Sequence, residues 1–214
     1  WSTKPYVLTV LDLIPLILKD LYRAHRPSWR FHFARWLELQ AIRRATLCLA
    51  ISECTARDIT SILGVPPERI RVTPLGVDPS FLEVFRMRTV DPHGVALRNC
   101  LGLPAARPIV LYVGGHDERK NIRSLVGIVQ RVISNSSARR EEQPILVMAG
   151  RVSSPREQEA LASALREFGM ESDAIALGYV SDTDLKALYS ISAAFLFPSL
   201  YEGFGLPCLE AMAA

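Results

Sequence analysis

Cysteine is scarce in this chain of 214 residues: Cys48, Cys54, Cys100 and Cys208 show no C-x-x-C spacing and stand in apolar or helical patterns. Neither a zinc site nor a disulfide framework is indicated, and a reducing compartment is the default. Long apolar runs are missing too. Stretches such as Leu13 to Leu18 and Leu47 to Ile51 fall far short of the roughly 18 residues of a membrane span, and no signal peptide is evident, so a cytoplasmic protein is expected. No sign of charge dominates: 25 Lys and Arg against 22 Asp and Glu leave a net charge of +3, which gives no indication of nucleic-acid binding. His25, His32, His93 and His116 share no ligand spacing, and no Ser or Cys occupies a nucleophile elbow. Internal repeats and low-complexity tracts are absent as well.

What is present suits a folded α/β protein. With 49% hydrophobic and 22% charged residues, the chain can bury a proper core. It opens at Trp1 and runs at once into a strand, and it closes at Glu210-Ala211-Met212-Ala213-Ala214 inside a helix former with no stop signal. A longer natural protein is therefore expected, extending past both ends.

Strand-like and helix-like runs alternate, the pattern of βα units in a parallel sheet. Strands are expected at Tyr6 to Leu11, Ala45 to Ile51, Ile70 to Thr73, Pro108 to Val113, Ile145 to Ala149, Ala174 to Leu177 and Ala193 to Phe197. Helices are expected at Ser28 to Arg44, from Ser52, and at Asn121 to Ile133, Pro155 to Phe168, Ser181 to Tyr189 and from Leu206. Between Pro79 and Arg107 the pattern weakens and collects Pro79, Pro92, Gly94, Gly102 and Pro104, which reads as a connection between domains. The expected organisation is a first Rossmann-like domain over 1–78, a connection over 79–107 and a second Rossmann-like domain over 108–214. Open α/β sheets bind ligands at the carboxyl ends of their strands, so function is sought after Val113 and after Phe197.

The first of these loops, Val113-Gly114-Gly115-His116-Asp117-Glu118-Arg119-Lys120-Asn121, joins a buried strand to a helix. Gly114 and Gly115 permit a tight turn and close approach to a ligand, and the helix start offers free N–H groups with a positive dipole end. Arg119 and Lys120 add two cations, completing an anion site. A tight turn with a solvated basic tip explains the loop equally well. It is not G-x-G-x-x-G, which disfavours a dinucleotide.

The second loop runs Phe197-Pro198-Ser199-Leu200-Tyr201-Glu202-Gly203-Phe204-Gly205-Leu206-Pro207-Cys208-Leu209-Glu210. Glu202 precedes a turn lined by Gly203 and Gly205, Pro207 suits a first helical turn, and Glu210 lies one turn inside the helix. Glu202 and Glu210 could be a surface acid and a solvated helix residue, but amides and acids gathered in one turn favour a site.

Here the sequence resembles a family. Glu202 to Glu210 is similar to the E-x7-E motif of the retaining glycosyltransferases of family 4, which have the GT-B fold. Tyr112-Val113-Gly114-Gly115 with Arg119-Lys120-Asn121 is similar to that family's phosphate-binding loop. Asp12-Leu13-Ile14-Pro15, Ile51-Ser52-Glu53-Cys54-Thr55-Ala56-Arg57-Asp58 and Pro74-Leu75-Gly76-Val77-Asp78 match in kind and order. The resemblance implies an α/β GT-B fold of two Rossmann-like domains, both incomplete in this chain. It also implies a hexosyltransferase, mannosyl transfer among the candidates, that uses a UDP- or GDP-sugar as donor; no cofactor and no metal site are expected. Glu210 would bond the ribose hydroxyls, and Arg119 and Lys120 would neutralise the diphosphate. Gly114 and Gly115 would line the phosphate loop, and Glu202 with the amides around Gly203, Phe204, Gly205 and Leu206 would grip the sugar and adjoining phosphate. Retention would follow from front-face attack, a covalent route through Glu202 being less favoured. Two departures stand out: Leu11 replaces a frequent His, and Gly115 replaces a frequent Arg. The chain by itself is not expected to close a working cleft. A GT-B nucleotide-sugar epimerase and a non-catalytic nucleotide-sugar-binding module are the rival functions.

Two further features have competing explanations. Asp182-Thr183-Asp184 has a D-x-D form, but Ser181 before it makes a helix cap with acids in the first turn the better explanation. Trp29-Arg30-Phe31-His32-Phe33-Ala34-Arg35-Trp36 mixes cations with aromatics, within a stretch where Arg23, Arg26, Arg30, Arg35, Arg43 and Arg44 are opposed mainly by Glu38. That suits peripheral contact with the inner membrane face and a lipid-linked acceptor, while helix packing accounts for the aromatics equally well.

Overall fold

A computed structural model describes residues 4–23, 29–87, 94–152 and 154–214. Trp1, His25, Arg26, Ser28, Pro92 and His93 lie outside the described residues. By its internal contacts the chain divides in two: one unit holds the chain up to Gly76 with Tyr201–Gly205, the other Val77–Leu200 with Leu206–Ala214.

In the first unit, β1 (Val7–Val10), β2 (Leu47–Ala50) and β3 (Ile70–Val72) pair in parallel in that order. Among the described residues between β1 and β2 lie α1 (Ile14–Ile17), α2 (Lys19–Arg23) and α3 (Trp29–Arg44). The apolar run from Leu13 is thus broken into short turns, with the Ile14 N–H donating to Asp12 Oδ1 at 3.0 Å. Between β2 and β3 lies α4 (Glu53–Leu63), fixed at both ends by local chemistry. The Ser52 side chain accepts from the Thr55 N–H, and Gly64 closes the helix at φ 68°. Thr55, Ile59 and Leu63 form its buried stripe, and Ile59 and Leu63 pack with Val10, Cys48 and Ala50.

In the second unit, β4 (Ile109–Val113), β5 (Ile145–Ala149), β6 (Ala174–Gly178) and β7 (Ala194–Phe195) make a parallel sheet in the order β6-β5-β4-β7. Every residue of β5 is buried, as expected of a strand covered on both faces. The alternation of side chains divides the core in two. Val110, Tyr112, Leu146 and Met148 meet α7 (Ile122–Ser134) and α8 (Pro155–Phe168) on one face. Ile109, Leu111, Ile145 and Val147 meet Leu188 and Tyr189 of α9 (Asp182–Ile191) on the other.

The stretch 79–107, expected as a connection, holds helices among its described residues, α5 (Ser80–Met87) and α6 (Val95–Leu101). Phe81 and Leu103 bury themselves in the core with Leu188 and Tyr189. The glycines that read as linker punctuation are helix caps: Gly94 and Gly102 flank α6 at φ 60° and 65°. The chain's last helix is α10 (Leu206–Ala213). Asp182 and Asp184 fall in the first turn of α9, where Ser181 accepts the Asp184 N–H, so the D-x-D is a helix start.

Among the described residues no helix is long and apolar enough to cross a membrane, and no cluster of His, Cys, Asp and Glu could hold a metal. No cysteine enters a disulfide.

Candidate functional site

The carboxyl ends of β4 and β5 meet through glycines. Gly114 and Gly150 have φ of 152° and 144°, and a Cβ placed on Gly150 would lie 2.0 Å from the Gly114 carbonyl oxygen. Such contact requires glycine at 150, while a Cβ on Gly114 would stand 2.9 Å from the Tyr112 hydroxyl oxygen. The contact is set by the ladder: the Gly114 N–H donates to Ala149 O at 2.9 Å and the Gly150 N–H to Gly178 O at 2.8 Å. Above these ends lies a cavity of about 350 Å³ lined by Gly114, Gly115, Gly150, Arg151, Tyr179 and Asp182. The Arg151 guanidinium stands 5.1 Å from the Tyr179 ring centroid. Open α/β sheets place their ligands at such strand ends.

Beyond Gly115 the chain makes a 3-10 turn over Glu118–Lys120, and α7 starts at Ile122 after Asn121. Asn121 takes the left-handed conformation at φ 54°, which Asn adopts more readily than other residues with a side chain, and its amide donates across to Pro198 O at 3.3 Å. Lys120 is buried with Nζ 4.8 Å from the Phe197 ring centroid, and its Cε lies within 3.8 Å of where Gly114 would carry a Cβ. Arg119 turns to its own loop: Nε contacts Asp117 Oδ1 at 3.2 Å. Of the two expected cations, Lys120 is therefore the one beside the glycine turn, while Asp117 competes with any anion for Arg119. His116 is buried with both ring nitrogens lacking a hydrogen-bond partner, and burial holds its pKa below the usual imidazole value.

The expected acidic loop is shared between the two units. Glu202, Gly203, Phe204 and Gly205 group with the first, Leu206 and Glu210 with the second. In the first unit, the Gly203 carbonyl accepts from Ser52 Oγ and, at 3.3 Å, from Thr55 Oγ1. A Cβ on Gly203 would stand 2.5 Å from the Leu11 carbonyl oxygen, so glycine is required by close backbone approach. The Tyr201 hydroxyl donates to Asp58 and contacts Cys54 Sγ at 2.9 Å. Burial first, then the bond to Asp58, raise the phenol's pKa. The turn that carries Glu202 is thus anchored on both sides of that residue by α4 and its cap.

In the second unit, Glu210 Oε2 accepts from the Tyr189 hydroxyl at 3.0 Å. Arg151, Tyr179 and Tyr189 belong to no motif in the sequence. Gly150 had a visible signal, since Ala149-Gly150 ends a buried strand as Val113-Gly114 does.

Comparison with known proteins identifies the family and the fold. Residues 96–214 match the family described as Glycosyl transferases group 1, and residues 1–81 match Glycosyltransferase Family 4. The serotype-specific mannosyltransferase WbdA of Escherichia coli is 30% identical over 214 residues, 99% of this chain and 24% of that protein. The O-antigen chain mannosyltransferase B of Escherichia coli is 30% identical over 88% of this chain and 46% of its own length. The crystal structure of HepE from Anabaena, in complex with UDP-glucose, superposes with a TM-score of 0.73 at 19% identity, covering 98% of this chain and 51% of that one. The chain therefore spans between about a quarter and about half of these proteins, and its α/β fold is of their GT-B type.

Proposed function

From a chain that belongs to the glycosyl transferases group 1 family, we propose a part of a retaining enzyme that moves a hexosyl group from a nucleoside-diphosphate sugar to a saccharide or lipid-linked acceptor. The observation that carries this reading is the glycine-walled cavity at the ends of β4 and β5, with buried Lys120 beside Gly114. Gly114 and Gly115 let backbone amides approach a diphosphate, and Lys120 meets the negative charge that builds on it as the glycosidic bond breaks. Arg151 and Tyr179, a stacked cation and ring at the rim, suit a planar base. Glu210 serves the ribose, and Glu202 keeps the role in gripping the sugar that its motif implies. Support for a mannosyl donor comes from WbdA and mannosyltransferase B, both mannosyltransferases by name.

The test is product analysis on the full-length protein carrying this chain, with a panel of nucleotide sugars, with and without acceptor. A glycosylated acceptor supports the proposal. An altered nucleotide sugar formed without acceptor would mean an epimerase, and binding without product a non-catalytic module. Within the leading reading, Glu202→Gln is expected to lower kcat about tenfold to a hundredfold while nucleotide affinity changes less than about threefold. Turnover close to wild type would remove Glu202 from the reaction.

A peripheral membrane location on the cytoplasmic side is proposed from α3. Trp29, Phe33 and Trp36 recur along one face at helical spacing, are 73%, 53% and 49% exposed, and lie away from buried Ile42. Arg30 stands 5.7 Å over the Trp29 ring. Aromatics beside cations bind anionic interfaces, so vesicle co-sedimentation is expected to rise with anionic lipid content and fall with salt. Binding indifferent to lipid charge would exclude this contact.

A further inference from the structure

Glu210 is half-buried, and among the described residues the hydrogen bond shown for its carboxylate comes from Tyr189, at 3.0 Å on Oε2. A carboxylate has no proton to give, so the phenol is the donor. Burial, then the charge of Glu210, raise the Tyr189 pKa, keeping the hydroxyl protonated throughout the neutral range. The ring is held in place: Tyr189 is 6% exposed and meets Phe81 and Phe195 edge-on at centroid distances of 5.9 and 5.4 Å. The hydroxyl therefore arrives at one fixed point, and with it the carboxylate on α10. Glu otherwise has three freely rotating side-chain bonds, and ordering them on binding weakens a ligand contact.

We propose that Tyr189 is a positioning residue for the nucleotide: it engages Oε2 of Glu210 and leaves Oε1 to accept from the ribose hydroxyls of the donor. The inference rests on the proposed role of Glu210 in donor binding. Phe81, in the stretch that looked like a linker, becomes part of the same device, since it forms one wall against the Tyr189 ring.

The test uses the full-length protein and two probes, a nucleoside diphosphate and its 2′,3′-dideoxy counterpart, titrated against wild type, Tyr189→Phe, Glu210→Gln and the double variant. Wild type is expected to prefer the ribonucleotide. Tyr189→Phe is expected to weaken the ribonucleotide about fivefold to tenfold and the dideoxynucleotide less than about twofold, so that the preference shrinks. The double variant should lose little beyond Glu210→Gln alone, and in turnover the loss should fall on donor KM more than on kcat. Equal weakening of both probes would mean that Tyr189 acts only through packing, and wild-type affinity for both would mean that it does nothing; either result overturns the inference while leaving Glu210 in place. A wild type that binds the nucleotide without preferring the ribose form overturns Tyr189 and Glu210 together, and one that binds no nucleotide removes the proposed function itself.

Discussion

Gly150→Ala is expected to unsettle the second unit and to abolish most nucleotide binding, the largest single-residue effect foreseen. The added Cβ would stand 2.0 Å from the carbonyl oxygen of Gly114 and 2.7 Å from its carbonyl carbon. Those are backbone atoms, and Gly114 is tied to Ala149 by a 2.9 Å hydrogen bond, so no side chain can swing aside. The residue would also keep a φ of 144°, which L side chains rarely adopt. Relief requires β4 and β5 to part at their carboxyl ends, where both are fully packed below. A cost on the order of 3–5 kcal/mol is expected, read as a fall of roughly 10 °C or more in the unfolding midpoint. Nucleotide affinity of the full-length protein should fall with it, because the phosphate turn moves. An unfolding midpoint within about 1 °C of wild type would show that the two glycines do not touch as described.

Lys120→Met tests the chemistry rather than the frame. Methionine keeps most of the length and apolar bulk of the lysine stem, so contact with Phe197 can persist while the charge is lost. A preorganised donor aimed at developing charge is worth about 10²–10³ in kcat, and a loss of that size is expected with a smaller change in donor KM. Arg119→Ala should cost less, because the Arg119 guanidinium already spends itself on Asp117. Lys120→Arg should recover only part of the rate, since a planar fork does not replace a compact ammonium in a buried slot. Steady-state kinetics on the three variants checks the order. A kcat for Lys120→Met within about threefold of wild type would contradict a role for this cation at the leaving group.

These two predictions differ in how far the sequence foreshadows them. Lys120 stands out because a glycine pair, two cations and a helix start follow one another within a single loop. Gly150 is quieter, for its importance lies in what it faces. The stretch 79–107 shows the opposite difficulty. Its glycines and prolines resemble those of a linker, yet Gly94 and Gly102 cap a helix and Phe81 enters the core. Caps and linkers draw on the same residues, and only burial of the intervening side chains separates them. The apolar run from Leu13 was similarly ambiguous, since short helices leave too few turns for a periodic pattern.

By itself the sequence determined the α/β class, the expected strands and most of the helices, along with the two loops that carry the candidate site. Each of those rests on local physics: apolar runs buried on both faces, side-chain caps such as Ser52, Ser154 and Ser181, and glycines at strand ends. Tertiary structure alone decided that Gly150 meets Gly114, that Tyr189 reaches Glu210, and that Ser52 and Asp58 bond residues 151 and 143 positions away. Those contacts arise from the convergence of separate chain segments once the sheets have formed, and such convergence leaves no periodicity or spacing in the chain to be read beforehand.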